Sequence, residues 1–471
     1  MVNRKWILNI VPALGAGVLL AASASAVAVD RFVDGSAGSD GGNDCDNAAS
    51  PCRTIGQAVS SSGTGDVIRI AEGVYTESLT IPVSLTLQGE SRAGTIIQAA
   101  AEPDRASNRV LTVINASDLV LEDLSILNGN LLSGSGGALR IEDGDLTATR
   151  VAFRGNRIAS EAGGAVFAQD SAVVMSEVEF IDNAVGDAAG VNAGGGMYIR
   201  GGALSLAGVR FFANGAGAGG GLWMRETMAS MSDVRFTGNV AVGDGGAVFI
   251  RDSSPEMTRV VVSGNQAGGE GGGIYALFDS APQLTNALIS GNKAIGFGGG
   301  IAFQSGSTQT RTFTNATITG NDAGERGGGI FKPGNVELRN TIIWNNRDSS
   351  GAGTQAASMS DFFDSDIEVN ESLVQAFAAD ELPGSGALDG TSPANNPLFR
   401  NAVNPSGAPT LAGDFRLQLD SPVRDRGRNA FVSGIDTDLD GEARIFGGVV
   451  DLGPYEGTDV LFADGFEDAG F

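Results

Sequence analysis

Any chemistry in this chain has to be done without histidine. The 471-residue sequence contains none, which removes Ser-His-Asp and Cys-His triads, histidine metal sites and any imidazole base. The only cysteines, Cys45 and Cys52, lie seven apart near the start. In an oxidising compartment that spacing suits a local disulfide, which leaves no thiol nucleophile. The Gly-Gly motifs lack the Gly-Lys-Ser/Thr ending of a phosphate loop. Carboxylates, guanidinium groups and aromatic rings remain. Acid pairs stand at Asp143/Asp145, Glu177/Glu179 and Asp364/Asp366, each explained as polar positions in turns or on outward strand faces. A glycosidase would need two carboxyls flanking one bond. Asp436, Asp438 and Asp440, followed by Gly441, have the alternate spacing of the first half of a calcium loop, but the twelfth position is Gly447 rather than Glu. A polar turn is the favoured reading, with calcium as the one cofactor the spacing suggests in its place.

The most organised candidate surface is a column read at one place in each repeat. It runs Phe167, Tyr198, Trp223, Phe249 and Tyr275, with a gap at Ala302 before Phe331. Two places further on, on the same face, stand Gln169, Arg200, Arg225, Arg251 and Gln304. Flat rings beside neighbouring guanidinium groups suit sugar rings that bear carboxylates. The alternative is structural: the rings stack between coils or lie under a loop, and Glu226 and Asp252, next in sequence, neutralise the arginines.

These columns are positioned by two short motifs that recur through residues 124–346. One is Gly-Gly, then Ala or Gly, then an apolar residue, starting at Gly136, Gly163, Gly194, Gly219, Gly245, Gly271, Gly298 and Gly327. The other is an apolar residue with Asn three places on, from Phe153/Asn156, Phe180/Asn183, Phe211/Asn214 and Phe236/Asn239 to Val262/Asn265, Ile289/Asn292, Ile318/Asn321 and Ile343/Asn346. A period of this length predicts a solenoid. The residue that closes the first motif is Leu139, Val166, Met197, Leu222, Val248, Ile274, Ile301 or Ile330, always apolar, so it points inward. Two further strands per coil are read from pairs such as Leu204/Leu206 and Val209/Phe211. An asparagine inside each turn can donate to one neighbouring coil and accept from the other, forming a ladder. Thr54 is an N-cap for a short helix with Ile55 and Val59 on one face, placed to cover the exposed edge of the first coil. The fold class is all-β: a parallel β-helix solenoid with three short strands per coil and a small N-terminal helical cap.

Composition and termini bound the setting. Residues 1–28 have Arg4 and Lys5 before an apolar run and small residues at Ala24, Ala26 and Ala28, the pattern of a secretory signal peptide. No later segment is long and apolar enough to span a bilayer as a helix. The expected location is extracellular or on the outer cell surface. A formal charge of −25 disfavours nucleic acid as a partner and leaves polysaccharide or cell-surface components. The remaining divisions are 29–123, the cap and first coils; 124–346, the regular repeats; 347–395, an irregular loop or coil; 396–457, a closing segment; and 458–471, a tail.

Several stretches resemble known families. Phe32-Val33-Asp34-Gly35, Pro51-Cys52-Arg53-Thr54-Ile55, Gly65-Asp66-Val67-Ile68 and Ala71-Glu72-Gly73-Val74-Tyr75 resemble the opening of right-handed parallel β-helix proteins of the pectin-lyase-like kind. The Gly-Gly and Phe-x-x-Asn repeats resemble those of polymorphic outer membrane proteins, although the chain has only about 70 residues after Phe399, too few for that family's membrane barrel. Asn396-Pro397-Leu398-Phe399, Asp438-Leu439-Asp440-Gly441 and Val450-Asp451-Leu452-Gly453 resemble the choice-of-anchor Q segment of secreted bacterial β-helix proteins, which implies that 396–457 continues and caps the helix. The tail Leu461-Phe462-Ala463-Asp464-Gly465-Phe466-Glu467 is similar to a terminal motif of secreted bacterial proteins. The reading is a non-catalytic rod for adhesion or polysaccharide binding, with contacts at Phe167, Tyr198, Trp223, Phe249, Tyr275, Arg200, Arg225 and Arg251. The alternative is a polysaccharide lyase or glycoside hydrolase acting on acidic polysaccharide, resting on fold analogy.

Overall fold

A computed structural model describes residues 28–186, 192–304, 308–332, 334–360 and 366–457. Residues 1–27 of the expected signal peptide 1–28, the tail 458–471 and Asp364 lie outside the described residues. Among the described residues the chain winds through three sheets of 23, 11 and 10 strands, parallel except where Gly351–Ala352 ends the ten-stranded sheet antiparallel to Arg347–Asp348. One coil shows the pattern. Val166–Gln169 belongs to the eleven-stranded sheet, Ala172–Ser176 and Glu179–Ile181 to the long sheet, and Ala184–Val185 to the ten-stranded one. The expected three strands are all present. A fourth, only two residues long, follows each asparagine. The two strands in the long sheet are separated by a residue at positive φ, such as Glu177 at 55° or Asp233 at 57°, which turns the chain without leaving the sheet.

The inward column is in register as the alternation demands: Leu139, Val166, Met197, Leu222, Val248, Ile274, Ile301 and Ile330 pair in succession. All are buried, as are Phe153, Phe180, Phe211 and Phe236. Those four phenylalanines stack at 5.0, 4.7 and 4.7 Å between ring centres. The second glycine of each motif is required by close approach. A Cβ on Gly195, Gly220 or Gly246 would meet the next coil's carbonyl oxygen at 2.2–2.4 Å, well inside contact distance.

The asparagines form the ladder. Asn183, Asn214 and Asn239 are buried, and their side chains make four hydrogen bonds to neighbouring coils. Asn214 Nδ2 donates to Asn239 Oδ1 at 2.9 Å and to the Phe180 carbonyl at 2.9 Å. Its Oδ1 accepts from both the backbone N–H and Nδ2 of Asn183, at 3.1 and 2.9 Å. The chain of amides runs unbroken from Asn156 to Asn346.

Both ends of the solenoid are closed. At the start, the helix Ile55–Ser61 buries Ile55, Ala58 and Val59, and Thr54 caps it by accepting from the Gln57 N–H. The Glu77 carboxylate accepts from the Ile55 and Gly56 N–H groups at 3.0 and 2.8 Å, where a negative charge complements the helix end. A disulfide joins Cys45 and Cys52, and the loop it closes bonds along the free edge of Asp30–Val33 through Phe32 N to Cys45 O and Cys52 N to Phe32 O. Residues 347–395 are more ordered than their composition suggests. Met359–Ser360, Ile367–Asn370 and Leu373–Val374 pair with the preceding coil. The short helix Gln355–Ser358 replaces the Gly-Gly motif, and the Ala357 carbonyl accepts from the Gly329 N–H at 2.8 Å. Phe377 and Leu382 then cover the end of the core.

The closing segment departs from the expectation. Residues 396–457 neither continue nor cap the helix; they fold back along its flank. Phe399, Phe415, Leu417, Val423, Leu439 and Leu452 pack on the outward-facing Val261, Leu288, Ile342 and Trp344. The reason is legible once the strands are placed, because an apolar outward column on consecutive coils has to be covered. Asn286 Nδ2 donates to the Thr437 carbonyl at 2.7 Å, and Asn340 Oδ1 accepts from the Arg428 N–H at 2.8 Å. At the centre Arg444 and Glu456, each with a side chain only 1% exposed, pair at 2.9 Å. Burial pushes the Glu456 carboxyl up to about 7 and the Arg444 guanidinium below its usual value.

Two outcomes follow. Replacing Asn239 by Leu leaves the Asn214 amide and the Phe211 carbonyl without their partners, which costs about 3 kcal/mol or more; equilibrium denaturation should register it, and an unchanged midpoint would refute the ladder's role. Arg444→Met strands the buried Glu456 carboxylate at a cost of about 3–5 kcal/mol. Limited proteolysis should then cut within 396–457 while the solenoid resists, and wild-type cutting rates would count against the pair as the segment's fastener.

Candidate functional site

The aromatic column occupies the outer face of the eleven-stranded sheet. Phe167, Tyr198, Trp223, Phe249, Tyr275, Ala302 and Phe331 are neighbours in register. Four of the rings stack on one another, Phe167 on Tyr198 at 5.2 Å, Tyr198 on Trp223 at 4.4 Å and Trp223 on Phe249 at 5.7 Å, while Tyr275 meets Phe249 at 5.0 Å with the planes tilted by 51°. The turn leading into each Gly-Gly motif folds over their edges, bringing Ala193, Ala218 and Phe297 against them. Trp223 and Phe249 are each 8% exposed and Tyr275 4%. This corrects the expected ring-face contacts at Phe167, Trp223, Phe249 and Tyr275: the first three already stack face to face with rings on adjacent coils, and Tyr275 is buried beside the tilted Phe249 ring with Ala302 as its neighbour on the next coil. Tyr198 alone among the five is half-buried. Burial raises the hydroxyls of Tyr198 and Tyr275 above the ordinary tyrosine value, and Tyr275 donates to Gln304 Oε1 at 3.1 Å.

The arginines stand outside this packed layer. Arg200, Arg225 and Arg251 are in register on successive coils, with side chains 47%, 28% and 34% exposed. Arg225 pairs with Glu226 at 2.8 Å, Arg200 approaches the same carboxylate at 3.8 Å, and Arg251 lies 3.4 Å from Asp252. Arg251 also covers the Phe278 ring at 4.9 Å. Three cations therefore share two carboxylates. Beside them runs a groove of about 650 Å³ lined by Glu226, Asp252, Ser254, Glu256, Asp279 and Gln309. The stripe is thus an alternating band of charge over an aromatic spine.

The aspartates of the closing segment are engaged otherwise. Asp438 is buried, and its carboxylate accepts from the N–H groups of Asp440, Glu442 and Glu456 at 2.9, 2.9 and 2.8 Å. Asp440 binds Arg416 at 2.7 Å, while Asp436 is exposed. Among the described residues no group of three or more His, Cys, Asp and Glu is arranged to hold a metal ion. In this turn backbone donors occupy the Asp438 carboxylate and the Arg416 guanidinium that of Asp440. The other acid pairs are separated too: Glu179 binds Arg154 and Arg210, and Asp145 accepts from the Ala172 N–H.

One pair of acids escaped the sequence reading. Asp244 and Glu270 occupy the position before the Gly-Gly motif on adjacent coils, and Asp244 Oδ1 accepts from the Glu270 N–H at 2.8 Å. Burial raises both carboxyls above their ordinary values, and the nearby Asp244 charge raises Glu270 further. A Cβ at Gly269 would lie 2.1 Å from Asp244 Oδ1, so the glycine makes room for this carboxylate. The available signal was the column itself: Ala162, Ala193 and Ala218 give way to Asp244 and Glu270.

Three solved structures are similar over most of their own length. A complex of XylC with xylose is 10% identical, covering 91% of this chain and 98% of that one, with a TM-score of 0.41. Pectate lyase Pel9A is 15% identical, covering 91% and 96%, with a TM-score of 0.32. A pectin methylesterase from carrot is 12% identical, covering 60% and 91%, with a TM-score of 0.28. No curated protein matches the chain in sequence. The family model for the right handed beta helix region matches residues 111–292 and 220–380, together more than half of the 471 residues. With its parallel coils, inward apolar columns and asparagine ladder, the chain belongs to the right-handed β-helix family.

Proposed function

We propose that this protein is a secreted or cell-surface rod that binds an acidic polysaccharide without turning it over. The observation that carries the reading is the register of Arg200, Arg225 and Arg251, three partly exposed guanidinium groups on successive coils whose ion pairs are with two carboxylates, Glu226 and Asp252. A linear polymer laid along the axis would meet one cation per coil, and planar guanidinium forks pair well with carboxylates. The packed rings of Phe167, Trp223, Phe249 and Tyr275 act here as the support that fixes the row, with the edge of Tyr198 available to a sugar. The Cys45–Cys52 disulfide and the signal-like start support an extracellular setting.

A second reading, a polysaccharide lyase or glycoside hydrolase, is favoured by one observation: the raised, half-buried Asp244 and Glu270 on adjacent coils near Tyr275. Upward-shifted carboxyls are suited to hold a proton for a general-acid step.

Reversing the charges at Arg200, Arg225 and Arg251 to Glu should weaken retention on an immobilised acidic polysaccharide by at least tenfold while leaving the thermal midpoint near wild type. Unchanged retention would dismiss the row. Trp223→Ala should instead lower stability by about 3–5 kcal/mol. The same preparations should release neither reducing ends nor unsaturated uronates. Release that is lost on Asp244→Asn or Glu270→Gln would establish the enzyme reading in place of the binding one.

A further inference from the structure

The flank of the long sheet changes character between two adjacent coils. One outward column runs Glu179, Arg210, Arg235, Val261, Leu288, Thr317 and Ile342, and the column beside it runs Ile181, Phe212, Thr237, Ser263, Ser290, Thr319 and Trp344. From Val261 and Ser263 onward the closing segment buries every member of both columns. Immediately before that boundary the face is open: Phe212 is 37% exposed, the Arg210 side chain is 52% exposed and Arg235 is exposed. Arg210 and Arg235 are direct neighbours in register, and like charges placed opposite one another destabilise a sheet. Glu179, 3.5 Å from Arg210, relieves only part of this, because it also binds Arg154 at 2.8 Å. The result is a cationic patch with an exposed aromatic ring on a chain of formal charge −25.

The described chain ends beside this patch. Tyr455 packs on the apolar cluster that contains Val261, the register neighbour of Arg235, and two residues later Gly457 is fixed, its N–H donating to Asp451 Oδ2 at 2.8 Å and its carbonyl accepting from Arg424 at 2.9 Å. Residues 458–471 follow. They contain Asp459, Asp464, Glu467 and Asp468, no lysine or arginine, and Val460, Leu461, Phe462, Phe466 and Phe471. An extended segment of that length reaches about 45 Å, while consecutive coils are about 4.8 Å apart.

We propose that residues 458–471 dock in cis on this face, extending the closing segment upstream over Arg210, Arg235 and Phe212. The tail's carboxylates pair with the two arginines and its phenylalanines cover the Phe212 ring. Tethering at Gly457 supplies a high effective concentration, so weak individual contacts suffice. Continuity with the buried flank, opposite charge and the position of the chain end all select the same occupant.

Hydrogen exchange on the full chain tests this. Amides in 458–471 should exchange at least tenfold more slowly than in the isolated peptide, independently of protein concentration. Arg210→Glu with Arg235→Glu should abolish the protection, while Arg210→Lys with Arg235→Lys retains most of it and controls for folding. Tail amides that exchange at the free-peptide rate in the wild-type chain overturn the proposal. So does protection that grows with concentration, which would assign the tail to a second copy, and so does protection unaffected by charge reversal in a chain that keeps its wild-type thermal midpoint.

Discussion

Everything in this molecule depends on one constraint: each coil must satisfy its backbone and its buried polar groups with the coils directly above and below. A parallel coil has no internal partner for its N–H and C=O groups, so an unmatched residue exposes or orphans them. The asparagine ladder is the strictest expression of this rule. Asn214 uses both protons and its side-chain oxygen on adjacent coils, so each member is as necessary to its neighbours as to itself. The glycine column follows from the same spacing, since a Cβ there would collide with the next carbonyl.

Because the constraint repeats, the architecture was legible in the sequence. The inward column from Leu139 to Ile330, the Phe153–Phe236 stack, the ladder and the Thr54-capped helix all follow from residue type and period. The misreadings arise where repetition stops. The stretch 347–395 has lost the Gly-Gly motif, yet Ala357 supplies the carbonyl that the motif would have supplied. The closing segment could not be placed from its own residues. Its location is written in Val261, Leu288, Ile342 and Trp344, whose outward apolarity becomes conspicuous only when the strands are in register.

The candidate site divides in the same way. Alternation located the aromatic and arginine columns, and they stand where it put them. It could not decide whether rings about one coil apart would face a ligand or each other. Once Tyr198 and Trp223 sit 4.4 Å apart, the stacking between coils answers that question, and only groups long enough to leave the packed layer remain available. The arginines are such groups. Asp244 and Glu270 were missed because their column, which runs Ser135, Ala162, Ala193, Ala218, Asp244, Glu270, Phe297 and Arg326, keeps no single residue type and so carries no period.

The closing segment also changes how the rod bears load. A bare solenoid is coupled only between nearest neighbours, so its coils can peel away singly. Here Arg444 and Asn340 tie segments of the chain far apart in sequence across several coils, through contacts such as Arg444 to Asn286 and Arg428 to Asn340. The coils from Val261 to Trp344 are therefore strapped in parallel, and tension along the axis must shear the strap before it can separate any one of them. The upstream coils have no such splint among the described residues. The molecule is a composite, with a half that can unwind turn by turn joined to a half that yields only as a block.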